Sequence, residues 1–320
     1  GGFSLDGVFI NQYACSNELY QSSGSTPMGL GVFCHEFSHC MGLPDMYDTN
    51  YSNTPTMGDW DLLASGSYNG PNGIGWCPAG WTSYERAYAG WLDIEELKAG
   101  DIITGMKDLE DYEGKAYAIY NDNHRDEFYL LENHKNQGWD AYTPEGGLLV
   151  IHVDYDKALF DNNIVNSKGT FTPAQGYDGI YTNDHPRMAP FSKIRSVTNE
   201  TYYYTYPMEA PRGVLDSLTN VSKPAATLYN ALADGSTLMG KPIYNIKKDA
   251  ETGDISVSFM TKDTGAETAV REIPYTEDSF SAEDNVYDLT GKLVGKRAGS
   301  LKPGIYIIGN KGRTRKIIVR

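Results

Sequence analysis

Cysteine is scarce in this chain: four in 320 residues, Cys15, Cys34, Cys40 and Cys77, with no CxxC pair. That excludes a disulfide-built scaffold and a cysteine-ligated structural zinc. Cys34 and Cys40, six residues apart on one predicted helix, are separated by about 9 Å of rise and cannot bridge each other. A bridge from Cys40 to Cys15 or to Cys77 stays open. No apolar run approaches the roughly 18 residues needed to cross a bilayer, so there is no membrane span. Positive charge is short as well. Against 42 acidic residues stand 27 basic ones, for a net charge of -15, a poor match for a phosphate backbone that argues against nucleic acid as a partner. Histidine is rarer still, with six in the chain, and two of them fall four residues apart.

What is present describes a folded protein. Hydrophobic residues make up 40% and the chain holds 24 Tyr and 5 Trp, which excludes a disordered or collagen-like polymer. At roughly 150 residues per domain the length suggests about two domains. The charge is unevenly placed: residues 291–320 carry nine Lys or Arg and no acid, which leaves 18 basic and 42 acidic residues in 1–290. The chain opens on Gly1-Gly2 without a charged start and an apolar stretch, the expectation for a processed product.

Residues 1–100 are rich in Gly, Trp, Tyr and Asn and hold one convincing helix followed by loops. From Asp101 to about 262 the pattern turns to short β-type runs, Lys115 to Tyr120, Glu127 to Glu132, Gly147 to Asp154 and Ile255 to Met260, spaced by turn residues as in an antiparallel β-sandwich. Gly253 supplies the positive φ for a hairpin at Ala250–Asp254. Residues 263–280 read as a linker and 281–320 as a small β-module, with strands near Asn285 to Leu289, Gly304 to Ile308 and Thr314 to Val319. No repeat of 20 to 50 residues is visible. The predicted class is α+β.

The informative segment runs from Met28 to Asp45. At 100° per residue, Leu30, Cys34, Phe37 and Met41 fall within about 80° of arc and are predicted to make a core stripe. His35 and His39 share the other side, with Glu36 one step round. This is H-E-x-x-H, in which two imidazoles grip one zinc ion while the glutamate acts on a metal-bound water. Chance gives such a pattern far less than once in a chain of this composition, and the plain alternative is two surface histidines on an amphipathic helix. Gly42 can adopt the left-handed conformation that ends a helix and Pro44 cannot continue one, so the chain must reverse just after His39. That turn can bring Asp45 back as a third, oxygen ligand; otherwise Asp45 caps the loop and Asp48 or a remote residue such as Glu132 completes the site.

The resulting H-E-x-x-H-x-x-G-x-x-D resembles the zinc motif of the metzincin peptidases, with Asp in place of the commoner third His. More closely, HEFSHCMGLPDMYD resembles the immune inhibitor A family of secreted bacterial zinc metallopeptidases. The likeness continues through Gly58–Tyr68, which is similar to that family's Met-turn, the Glu85–Trp91 stretch, Tyr129–Asn133 and Gly147–Asp154, roughly residues 5 to 260. It implies a metzincin-like catalytic portion, a secreted or cell-surface location, protein or peptide substrates, and zinc held by His35, His39 and Asp45. Glu36 would take a proton from the zinc-activated water and pass it to the leaving amine. Two departures stand out. Leu63 occupies the usual Met position, a volume-conserving swap that costs under ~1.5 kcal/mol. Only about 30 residues precede the zinc helix, where metzincin-like domains place a sheet, so a truncated catalytic half is expected. These departures motivate the rival reading of a catalytically silent zinc-containing binding or adhesion protein, which an intact Glu36 opposes.

Other candidates are weaker. Tyr68 and His152 can donate to a tetrahedral oxyanion, although either is more often a structural residue. Asp154, Asp156 and Asp161, with Asn162 and Asn163, crowd enough oxygens for calcium but lack the D-x-[DN]-x-[DN]-G spacing, and a solvated acidic loop is the plainer reading. The tail, with Val286–Val294, Leu301–Ile308 and Lys311–Val319, is similar to the C-terminal sorting domains read by type IX export in Bacteroidetes; a small stabilising β-cap is the alternative.

Overall fold

Runs such as Gly147–Asp154, with Leu, Val and Ile on both alternating sets of positions, belong to strands covered on both faces. The computed structural model builds the molecule around such strands. It describes residues 2–21, 24–173, 176–191, 195–197, 200–202, 205–210, 213–263, 285–288, 290–295, 304–310 and 313–319. The chain divides into two units, Gly1–Thr264 and Gly265–Arg320.

In the first unit, β1 (Phe3–Leu5) and β2 (Val8–Ile10) form an exposed hairpin ahead of the helices α1 (Gly31–Cys40) and α2 (Ser83–Tyr88). Then come β3 (Ile94–Glu96), β4 (Ile102–Met106), β5 (Ala116–Tyr120), β6 (Glu127–His134), β7 (Gly147–Asp154) and the single-turn helix α3 (Lys157–Asp161). Next follow the hairpin of β8 (Gly169–Phe171) and β9 (Tyr181–Asn183), the strand β10 (Met188–Pro190), and two further hairpins. These are β11 (Arg195–Val197) with β12 (Glu200–Tyr202), and β13 (Met208–Ala210) with β14 (Gly213–Leu215). The last pair is β15 (Ile243–Lys248) and β16 (Ile255–Phe259). Among the described residues the molecule is mostly β with few helices.

A five-stranded sheet in the order β10-β7-β6-β5-β3 is the frame, antiparallel except where β3 joins β5. Strand alternation divides its side chains. Tyr117, Ile119, Tyr129, Leu131, Leu148 and Val150 share one core with the three-stranded sheet β15-β16-β4, including Ile243, Ile255, Val257 and Phe259. Ala118, Leu130, Leu149, Ile151 and Val153 face the other way, onto Leu43, Met46, Met57, Trp60 and Leu63. The loops around the H-E-x-x-H motif therefore rest on this second face. The predicted strands at 115–120, 127–132, 147–154 and 255–260 match β5, β6, β7 and β16, and the hairpin at 250–254 carries Gly253 at φ +70°. Asp249 fixes that turn by accepting from the N–H groups of Glu251 and Thr252.

The second unit is a four-stranded antiparallel sheet in the order β18-β17-β19-β20, made of β17 (Asn285–Tyr287), β18 (Leu293–Gly295), β19 (Gly304–Asn310) and β20 (Arg313–Val319). Its strands fall where the sequence predicts three of them, and β18 adds a fourth. The linker predicted over 263–280 lies, from 264 on, outside the described residues.

Candidate metal centre

Helix α1 forms where predicted, but the predicted core stripe is not its buried face. Leu30 is 46% and Phe37 51% exposed, whereas Gly31, His35 and Ser38 are buried. The reason is a backbone contact. A Cβ at Gly31 would lie 1.9 Å from the carbonyl oxygen of Ser67, so only glycine lets the helix seat on the Ser65–Tyr68 turn. Seated this way, α1 turns its histidines inward. At the other end Gly42, at φ +94°, reverses the chain as predicted, and the Leu43 N–H closes the turn on the Ser38 carbonyl at 3.2 Å.

The reversal sets both imidazoles. His39 donates through Nδ1 to the Leu43 carbonyl at 2.8 Å, and His35 donates through Nδ1 to the Leu62 carbonyl, also at 2.8 Å. Each Nε2 is thereby the free ring nitrogen, and both face one atom: Asp45 Oδ1 lies 3.1 Å from His35 Nε2 and 3.2 Å from His39 Nε2. Asn163, in the left-handed region at φ +59° just beyond α3, clamps Asp45 from behind. Its Oδ1 accepts the Asp45 N–H at 2.6 Å and its Nδ2 donates to Asp45 Oδ2 at 2.6 Å. Burial would raise the Asp45 carboxyl, but the adjoining imidazoles of His35 and His39 and the Asn163 amide outweigh it and hold the group well below the usual range. The adjoining Asp45 carboxylate in turn pushes His39 up to about 8 against the opposing effect of burial.

The donor set fits a tetrahedral cation. His35, His39 and Asp45 are brought within 4.8 Å of one another, and Asp45 Oδ1 is buried with no hydrogen-bond donor of its own. Two ligands about 2.1 Å from a tetrahedral zinc lie about 3.4 Å apart, close to the spacings seen here. The Nδ1 bonds to main-chain carbonyls are the usual outer partners that fix the tautomer of a ligating histidine.

Glu36 stands one residue round from His35, partly exposed, with no hydrogen bond or ion pair among the described residues. Tyr47 is a neighbour that sequence reasoning missed. Its ring lies along that of His35, with centroids 6.3 Å apart, and burial, then the charge of Asp45, pushes its hydroxyl up to about 12. Its position two residues past Asp45 was the available signal. Asn163 was noticed only as a calcium oxygen. Leu63, at the Met position, is fully buried with Met46 and Met57, and its carbonyl accepts the Met46 N–H at 2.8 Å.

The remaining candidates lie elsewhere. Asp48 accepts from the Ser52 hydroxyl and the Thr54 N–H, and Glu132 from the Ser83 N–H and His134 Nε2. Tyr68 is exposed at the end of the turn under α1. His152 shares the face of Val150, on the far side of the sheet, where it pairs with Glu127 at 2.8 Å and stacks on Tyr229. The three acids proposed for calcium are separately engaged: Asp154 by Arg187 and His185, Asp156 as the cap of α3, Asp161 by Lys157 and Tyr177. All four cysteines are free thiols, so neither open bridge to Cys40 is formed.

Two imidazoles four apart on a helix, a carboxylate folded back onto them and an unengaged glutamate between are the parts of a metallopeptidase site, and sequence comparison points the same way. Residues 22–91 match the catalytic domain of the immune inhibitor A peptidases, family M6. The chain is also similar to the pre-pro-metalloprotease PrtV of Vibrio cholerae serotype O1, in strain M66-2 and in strain ATCC 39315 / El Tor Inaba N16961. Each is 29% identical over 106 residues, covering 31% of this chain and 11% of the relative. These matches support a metallopeptidase of that family, and the chain aligns with only about a tenth of the relatives' length. No solved structure matches. No helix among the described residues is long and apolar enough to cross a membrane.

Proposed function

We propose that this chain carries the zinc centre of an extracytoplasmic endopeptidase acting on protein or peptide substrates. One observation carries the reading: two imidazoles, each tied through Nδ1 to a main-chain carbonyl, turn their Nε2 atoms onto the same buried oxygen of Asp45. His35, His39 and Asp45 are the residues that would hold the ion. When bound, zinc supplies a Lewis acid for the scissile carbonyl and lowers the pKa of a water toward neutrality. Glu36 is the general base. Its carboxylate takes the proton of the attacking water, holds it, and returns it to the leaving amine. Tyr47, whose ring lies along that of His35, is a donor for the developing oxyanion. His152 lies on the far face of the sheet, paired with Glu127. The C-terminal unit, by the likeness of its sequence, is read as an export-sorting module.

The test is zinc stoichiometry together with casein or peptide cleavage for the wild type and Glu36→Ala. The proposal expects one zinc in both and a loss of turnover of at least about 100-fold in the variant. One bound zinc with no turnover in the wild type would sink the peptidase reading in favour of a silent zinc-containing binding protein.

A further inference from the structure

Behind the centre, between the Asp61–Ala64 turn, α2 and β6, lies a buried cluster of carboxylates. Asp61, Glu85 and Glu132 are each wholly buried. Glu132 is accounted for, because its two oxygens accept from the Ser83 N–H and from His134 Nε2, and His134 is bound on its other side by Asp140. Asp61 and Glu85 are each half accounted for. Asp61 Oδ1 accepts the Leu63 N–H at 2.8 Å, and Glu85 Oε2 accepts from the Thr82 hydroxyl. Their other oxygens, Asp61 Oδ2 and Glu85 Oε1, are buried without a donor, although the two carboxyls are hydrogen-bonding neighbours. Two neighbouring buried carboxyls, each with an oxygen lacking a donor, are satisfied by one proton between them. Burial and the neighbouring Glu85 hold the Asp61 carboxyl well above the usual range, so Asp61 is the group that carries it.

What that proton holds in place is the turn on which two zinc ligands lean. Leu62 presents its carbonyl to His35 Nδ1, and Leu63 presents its carbonyl to the N–H of Met46, the residue next to Asp45. Asp61 ties the turn from within, through its side chain to Leu63 N–H and through its own carbonyl to Ala64 N–H at 3.0 Å. We propose that Asp61 is a positioning residue for the zinc centre: as a neutral acid it accepts from Leu63 N–H, donates to Glu85, and so locks the turn that aims His35 and Asp45. The inference rests on the zinc assignment made above but not on peptidase activity, and it concerns no step of the reaction.

The experiment measures zinc affinity of the full chain by competition with a chromogenic chelator, and the visible spectrum of the cobalt-substituted protein, for Asp61→Asn, Asp61→Ala and a control, Val150→Ala, on the far face of the sheet. Asparagine reproduces both hydrogen bonds of a neutral aspartic acid, so Asp61→Asn is expected to keep zinc within about threefold of wild type, with an unchanged cobalt spectrum. Asp61→Ala is expected to weaken zinc by about 10- to 100-fold, as loss of an outer partner does, while the control loses stability and keeps its affinity. Asp61→Asn losing zinc, or Asp61→Ala keeping it, overturns the proposal. If Asp61→Ala fails to fold, the asparagine variant alone decides. Chelator competition is read without turnover, so an inactive wild type that obeys this pattern refutes the peptidase reading and leaves the positioning role standing.

Discussion

Replacing Asn163 by glycine tests how far the centre depends on a residue 118 positions from its third ligand. Asn163 holds Asp45 with two hydrogen bonds of 2.6 Å, one from the Asp45 N–H and one to its carboxylate. A neutral hydrogen bond is worth about 1 kcal/mol and one to a charged group about 2, so Asn163→Gly should cost the zinc-free protein about 3 kcal/mol. Glycine accepts φ +59° without strain, so the loss belongs to the side chain. Asn163→Ala should cost about 1 kcal/mol more, because alanine resists the left-handed region. Freed from its clamp, Asp45 loses orientation, and zinc should bind about 10- to 100-fold more weakly, a difference of about 1.4–2.8 kcal/mol. Urea unfolding in the presence of a chelator gives the first quantity and competitive zinc titration the second. Glycine and alanine variants that unfold at the wild-type midpoint and bind zinc within twofold would refute the reasoning.

Further expectations follow from the same contacts. Gly31→Ala puts a methyl 1.9 Å from a backbone carbonyl, so α1 must lift from its seat; a loss of at least about 3 kcal/mol in denaturant unfolding is expected, together with weaker zinc binding. Asp45→Ala should lose zinc in equilibrium dialysis while Asp48→Ala keeps it, and the reverse would reassign the third ligand. Burial pushes the Glu85 carboxyl up from 4.5 to about 7. Besides the proton on Asp61, the folded state therefore holds one on Glu85 that the unfolded chain releases, and the Glu85 contribution to stability is lost as pH rises from about 4.5 to about 7. Glu85→Gln should flatten that slope, by on the order of 3 kcal/mol across the window, in chelator-treated protein unfolded at each pH.

The sequence made legible whatever depends on near neighbours along the chain. The spacing of His35, Glu36 and His39 is helical geometry, and the reversal at Gly42 that returns Asp45 is a property of a few residues. The strands could be located for the same reason, since each is a short run of β-forming residues bounded by turn residues, but that Gly147–Asp154 is covered on both faces was not read. Which face of α1 points inward could not be read. Periodicity groups Leu30, Cys34, Phe37 and Met41 together, but the packing direction is set by Gly31 against Ser67, a contact 36 residues apart. Strand alternation sends His152 to the far side of the sheet from the motif, and Asp154, Asp156 and Asp161 each meet a different partner, placements that no local pattern shows. Asn163, the Leu62 carbonyl and the Asp61–Glu85 pair are tertiary features, and no local signal marks them.

X-ray absorption at the zinc edge of the zinc-loaded chain tests the central claim most directly. The account predicts one zinc per chain with a shell of two imidazole nitrogens and light oxygen atoms at about 2.0–2.2 Å, with one imidazole lost in His35→Ala and again in His39→Ala. A sulfur shell near 2.3 Å, or a spectrum that neither histidine variant changes, would contradict it.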